Sequence, residues 1–200
     1  PLTTLGTFLL WFGWFGFNGF SQLAMGTFND VTAISKIAVN THLAGAAGTV
    51  TGAVLSRLLG GKTDVIMMLN GALAGLVAIT AEPLTPTPGF AILIGSIGSV
   101  IMYFGTKMLE NVGLDDVVGA IPVHMFAGIF GTLIVPLTNK GVTFSSQFVG
   151  TLSVCVFSFV LSYIIFKTMK ATIGLRISKE AEKLGTDKAE VGVVAYAIRD

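Results

Sequence analysis

Charged side chains fall in clusters along this chain, and between the clusters lie six charge-free runs: Pro1 to Asn29, Ile37 to Ser56, Val65 to Ala81, Pro83 to Thr106, Val117 to Asn139 and Gly141 to Phe166. They count 29, 20, 17, 24, 23 and 26 residues. A charged side chain at the centre of a bilayer costs at least about 2.5 kcal/mol, so charges collect where spans end. At about 1.5 Å per residue each run reaches across a hydrocarbon core roughly 30 Å thick, the third only just. The pattern predicts an all-α, polytopic transmembrane helix bundle. Its six helices are expected at about residues 2–28, 33–57, 64–81, 87–109, 115–138 and 142–168, making one domain over 1–166 with a tail over 167–200. A mean hydropathy of +0.81, with 52% hydrophobic and 12% charged residues, excludes an ordinary water-soluble domain.

Basic residues set the expected orientation, because cytoplasmic loops carry the excess of Lys and Arg. One side holds Arg57, Lys62, Lys107 and seven tail residues, Lys167, Lys170, Arg176, Lys179, Lys183, Lys188 and Arg199; the other holds only Lys36 and Lys140. Both ends and the C-terminal tail are therefore expected in the cytoplasm. A net charge of +1 gives no support to nucleic-acid binding. The first apolar run has neither a basic leading segment nor a small-residue cleavage site, and Pro1 is expected to follow residues missing from its N-terminal side.

The enzyme-like signals are weak. Gly61-Lys62-Thr63 ends like a phosphate-binding loop, but Ser56 stands where that loop requires glycine. Two histidines and the single Cys155 have no metal-site spacing, Cys155 has no partner for an intrachain disulfide, and no span carries paired catalytic carboxylates. No enzyme activity, metal or cofactor is expected. Gly48/Gly52 and Gly71/Gly75 are small-xxx-small pairs that let helix backbones approach in lipid.

Among polar residues His124 stands out, eight residues into a 23-residue charge-free run, where an ionisable group is either functional or a neutral ring satisfied by a neighbouring carbonyl. His42, nearer the outer end of its span, reaches water or headgroups more easily, and a structural role suffices for it. Trp14, Phe17 and Ser21 fall at i, i+3, i+7 on one helical face, a spacing compatible with aromatic attraction of a cation although aromatics on one face usually serve packing or lipid contact. Asp115 and Asp116 stand before the fifth run, where capping of a helix accounts for a carboxylate without any further role.

Taken in order, Leu10-Trp-Phe-Gly-Trp-Phe-Gly-Phe-Asn18, Asn40-Thr41, Asn70-Gly-Ala-Leu-Ala-Gly-Leu-Val77, Leu114-Asp-Asp-Val-Val-Gly-Ala-Ile-Pro-Val-His124, Gly174-Leu-Arg176 and a partial match from Gly185 to Tyr196 resemble the C-terminal half of the ammonium transporter family, the Amt/Mep group related to the Rhesus proteins. The resemblance implies helices six to eleven of an eleven-helix fold, a homotrimer with one pore per subunit, a cell membrane location and ammonium or ammonia as substrate. It makes Ser21 part of an external ammonium site, Phe17 one of two stacked gate rings, Trp14 a pore-lining aromatic, His124 one of two pore histidines and Thr80 a neighbour of them. It also brings a PII signalling protein into view as a cytoplasmic partner. Phe20, Met125 and Val191 depart from the family's usual small residue, glycine and histidine. Two alternatives share the fold: an ammonium sensor, and a Rhesus-type ammonia gas channel, which Trp14 together with Ser21 argues against.

Overall fold

The computed structural model describes residues 1–195, and these are mostly helical, with no strand among them. Tyr196 of the last matched stretch, Arg199 of the basic set and the tail's end at Asp200 lie outside the described residues. The chain divides into two units, Pro1–Thr151 and Leu152–Asp200.

In the first unit α1 runs over Leu2–Gly19 and closes with a 3-10 turn at Phe20–Gln22. It stops well short of the expected residue 28. Leu23 takes a left-handed conformation (φ 58°), the only such residue besides glycine among those described, and Thr27 opens the next helix with a capping box. There the Asp30 backbone N–H donates to Thr27 Oγ1 at 3.2 Å and the Thr27 N–H donates to Asp30 Oδ2 at 3.0 Å. α2 therefore begins at Phe28 and runs to Gly60, 33 residues or about 50 Å, so both ends extend past the apolar core. Its far end is closed by Gly61 (φ 76°), whose carbonyl accepts from Arg57 Nη1 at 3.0 Å.

Asp64 caps α3 (Val65–Thr80), accepting from the Ile66 and Met67 N–H groups at 2.7 and 3.2 Å. Thr87 caps α4 (Pro88–Asn111), with Pro88 at the first helical position where its missing N–H is harmless. The fifth helical stretch starts at Ile121, later than the expected 115, because Asp116 to Gly119 form a turn with Gly119 at φ 74°. It opens as a π-helical segment (Ile121–Phe126), continues as α5 (Ala127–Ile134) and ends in a 3-10 turn (Val135–Leu137).

The centre of this unit is a seam almost free of side chains. A methyl on Gly48 would strike the Gly71 carbonyl, one on Gly52 the Met67 carbonyl, and one on either Gly75 or Gly95 the Ala44 carbonyl. Gly131 meets the Ala78 carbonyl in the same way, which brings α5 against α3. Without water to drive association, close backbone approach of this kind is the main source of helix adhesion in lipid. The apolar core forms two clusters. Leu73, Ala74, Leu76, Met102, Val123 and Ala127 form one, with Trp11 and Trp14 packed on it; Ala44, Ala78, Ile79, Ala91 and Ile94 form the other.

α6 covers Phe144–Thr172 and has no buried residue. In the second unit, Phe159 and Tyr163 stack at 6.4 Å and Lys167 Nζ lies 5.5 Å from the Tyr163 ring centre. α7 (Lys179–Leu184) is capped by Ser178, and Asp187 Oδ2 accepts from the Ala195 N–H at 3.0 Å. Among the described residues three helices are long and apolar enough to cross a membrane, α2, α4 and α6, while α3 and Ile121–Leu137 are apolar but shorter. α1 has 18 residues, and its tryptophans, glycines and Asn18 lower its hydropathy.

Candidate functional site

Trp14 joins the C-terminal half of α1 to the end of α3. Its indole Nε1–H donates to Thr80 Oγ1 at 2.6 Å, and the Thr80 hydroxyl donates in turn to the Leu76 carbonyl at 2.6 Å. With its proton committed to the helix ladder, the Thr80 oxygen is left as an acceptor, which fixes the plane of the indole. One turn further along α1 the Phe17 ring lies 5.8 Å from Trp14, tilted by 55°. Leu9, Leu10, Gly13, Trp14 and Phe17 line an apolar depression of about 240 Å³. Phe17 is 66% exposed.

Ser21 follows Phe17 on the same face and is exposed. Its hydroxyl donates to the Phe17 carbonyl at 3.1 Å, so the oxygen lone pairs remain free to accept from an incoming N–H. The structure thus links Ser21, Phe17, Trp14 and Thr80 in one chain of contacts. Phe20 is also exposed, at 79%, with its ring against Gly16.

His124 sits in the π-helical segment and is exposed, while its neighbour Val123 is 2% exposed and belongs to the cluster on which Trp14 packs. That cluster is the connection between His124 and the aromatic row; the imidazole has no hydrogen bond among the described residues. His42 lies elsewhere, its ring 5.5 Å from Trp11 and 6.2 Å from Phe15.

Asp116 accepts from the Ala120 and Ile121 N–H groups at 2.9 and 2.7 Å, reaching four and five residues ahead across the turn. Asp115 is exposed and makes no side-chain hydrogen bond among the described residues. Both line a second depression of about 210 Å³ together with Glu110 and Thr106. No group of three His, Cys, Asp or Glu side chains among the described residues is placed to hold a metal.

Three buried asparagines were not singled out by spacing. Asn18 Nδ2 donates to Thr41 Oγ1 at 2.9 Å, Asn40 Nδ2 to the Pro83 and Pro86 carbonyls at 2.9 Å each, and Asn70 Nδ2 to the Val118 carbonyl at 3.1 Å. The signal for them was present, since an amide inside an apolar span must find a partner.

Residues 1–196 match the model of the Ammonium Transporter Family. The chain is 42% identical to the ammonium transporter Amt2 of Archaeoglobus fulgidus, over 96% of the chain and 44% of that protein. It is 39% identical to a putative ammonium transporter of Synechocystis sp., over 95% of the chain and 44% of the relative. Among solved structures, one described as a Sensor Amt Protein aligns with a TM-score of 0.87 at 34% identity, covering 95% of this chain and 49% of that one. Mep2 of Candida albicans aligns with a TM-score of 0.80 at 26% identity, covering 94% and 45%. The chain thus spans a little under half the length of the relatives it matches. These likenesses and its apolar helices identify a multi-pass membrane protein with the ammonium transporter fold, and the chain belongs to the ammonium transporter family.

Proposed function

We propose that this chain supplies one half of a membrane pore that passes ammonium or ammonia, with the face carrying Ser21, Phe17 and Trp14 turned toward the path and His124 deeper along it. The observation that carries the reading is the contact row itself: a hydroxyl with free lone pairs, a phenyl ring and a fixed indole tilted against it succeed one another on a partly exposed face. Ring faces attract ammonium by about 0.5 to 2 kcal/mol, and the Trp14 N–H, engaged by Thr80, leaves that indole only its faces to offer.

Carrying a bare cation through an apolar passage costs many kcal/mol of desolvation. Loss of a proton removes that cost: an N–H bond of ammonium breaks, its electron pair stays on nitrogen, the proton goes to an imidazole nitrogen and neutral ammonia moves on. His124 is the group in this chain suited to accept and relay it. Potassium has no proton to lose and is refused on chemical grounds. The family further suggests a homotrimer in the cell membrane, a cytoplasmic C-terminal tail and a PII signalling protein as regulator. The test is uptake of labelled methylammonium by the full-length protein, with His124→Ala and Phe17→Ala beside it. Both variants are expected to lower transport, and full activity in both removes these assignments.

The likeness to a sensor protein favours a second reading, in which ammonium binds at the same face and the signal leaves through the cytoplasmic end. Ammonium binding without measurable flux in proteoliposomes selects it.

A further inference from the structure

The start of the segment that presents His124 can be accounted for donor by donor. The Gly119 N–H goes to the Asp116 carbonyl at 3.1 Å, the Ala120 and Ile121 N–H groups to the Asp116 carboxylate, Pro122 has none, and the Val123 N–H returns to the Gly119 carbonyl at 3.1 Å. What this arrangement leaves over is an acceptor. Gly119, at φ 74°, turns the chain so that the Val118 carbonyl points out of the helical ladder. The amide of Asn70, a residue of α3 only 8% exposed, donates to that carbonyl at 3.1 Å.

We propose that Asn70 is a positioning residue for His124: its bond to the Val118 carbonyl anchors the turn from which the π-helical segment springs. The inference rests on reading His124 as a pore residue. Three observations support it. Gly119 lies so close that a Cβ there would sit 2.7 Å from Asn70 Nδ2, so turn and amide are fitted to each other. The segment is only six residues long, and its downstream end is held by packing of Phe126 on Gly105 of α4 while Asn70 of α3 holds the turn before it, so its two ends are fixed from different helices. Within it, the Ala127 N–H bonds the Pro122 carbonyl five residues back, a wide turn that sets Val123 inward and His124 outward. A shift at the anchor changes where the imidazole stands, and displacements of about 1 Å in a reacting group reduce rates by large factors.

The experiment uses the full-length protein in proteoliposomes with Asn70→Leu, which keeps the volume and deletes the donor, His124→Ala and the double variant. Asn70→Leu is expected to lower transport about tenfold in the parent and by less than about twofold when His124 is already alanine, since it acts through that ring. Equal losses on both backgrounds mean that Asn70 only stabilises the fold, and overturn the proposal. Imidazole ¹⁵N resonances of His124 provide a readout independent of flux: they are expected to shift in Asn70→Leu, and unchanged resonances refute it. Should Asn70→Leu not fold, Gly119→Ala displaces the same amide from the other side and is read in the same way. Full transport by His124→Ala removes the pore reading, whereas the resonances still decide whether Asn70 positions the ring.

Discussion

Replacing Asn40 by alanine isolates the energetic role of a buried amide in this bundle. Asn40 is fully buried in α2, and its Nδ2 serves two carbonyls of the loop between α3 and α4, those of Pro83 and Pro86, at 2.9 Å each. Neither of these prolines, nor Pro88 just beyond them at the start of α4, has an N–H with which the segment could satisfy its own acceptors. Interhelical hydrogen bonds in membrane proteins average about 0.6 kcal/mol and reach about 1.7, so two of them lie between about 1 and 3.5 kcal/mol. Asn40 Oδ1 has no hydrogen-bond partner among the described residues, and deleting it returns part of its own burial penalty. A net loss of about 2 kcal/mol is expected, roughly 30-fold in the unfolding equilibrium. Asn40→Asp must be worse, since it removes the donor and brings a carboxylate to the same dry site. The assay is reversible unfolding of the full-length protein in bicelles by denaturant or steric trapping. An Asn40→Ala variant within about 0.5 kcal/mol of the parent, or an aspartate variant no worse than alanine, refutes the reasoning.

Two further outcomes follow from side-chain geometry. Thr80→Val leaves the Trp14 N–H without its acceptor and is expected to lower stability by about 1 to 2 kcal/mol and reduce methylammonium transport, whereas Thr80→Ser retains both; equal behaviour of the two variants in melting and uptake contradicts the role given to the hydroxyl. At the start of α2, the Asp30 carboxyl is held below its ordinary value of 3.8, first by the Thr27 hydroxyl and then by the Gln22 amide. Its depressed value means that this contribution is fully present above the ordinary carboxylate range and is lost as pH falls through the lowered value; amide exchange in the first turn of α2 is expected to quicken only below that range, and Asp30→Asn to abolish the dependence.

Charge-free runs locate helices because lipid penalises charge, but they are blind to where a helix stops inside apolar sequence. For that reason counting carries α1 to residue 28 when it ends at Gly19: Leu23 and the Thr27 cap carry no charge. The Thr27 and Asp30 pair, three residues apart before an apolar run, is a readable start signal that restores the boundary. At Asp115 and Asp116 the opposite happens, since carboxylates announce a helix nearby without saying how far ahead Asp116 reaches. Spacing puts Trp14, Phe17 and Ser21 on one face, but the link from Trp14 to Thr80 spans 66 positions and no local pattern encodes it. The wide turn at Ile121–Phe126 is likewise a tertiary outcome, dependent on how Gly105 receives Phe126.

Where Gly48 meets Gly71 and where Gly75 and Gly95 meet Ala44, α2, α3 and α4 touch through their main chains. Joining them there immobilises no rotamers, because glycine and alanine have none to lose, and the backbone was already ordered by each helix on its own. The trio therefore assembles with little entropic opposition and, once joined, offers no soft torsions through which one helix could slide past another.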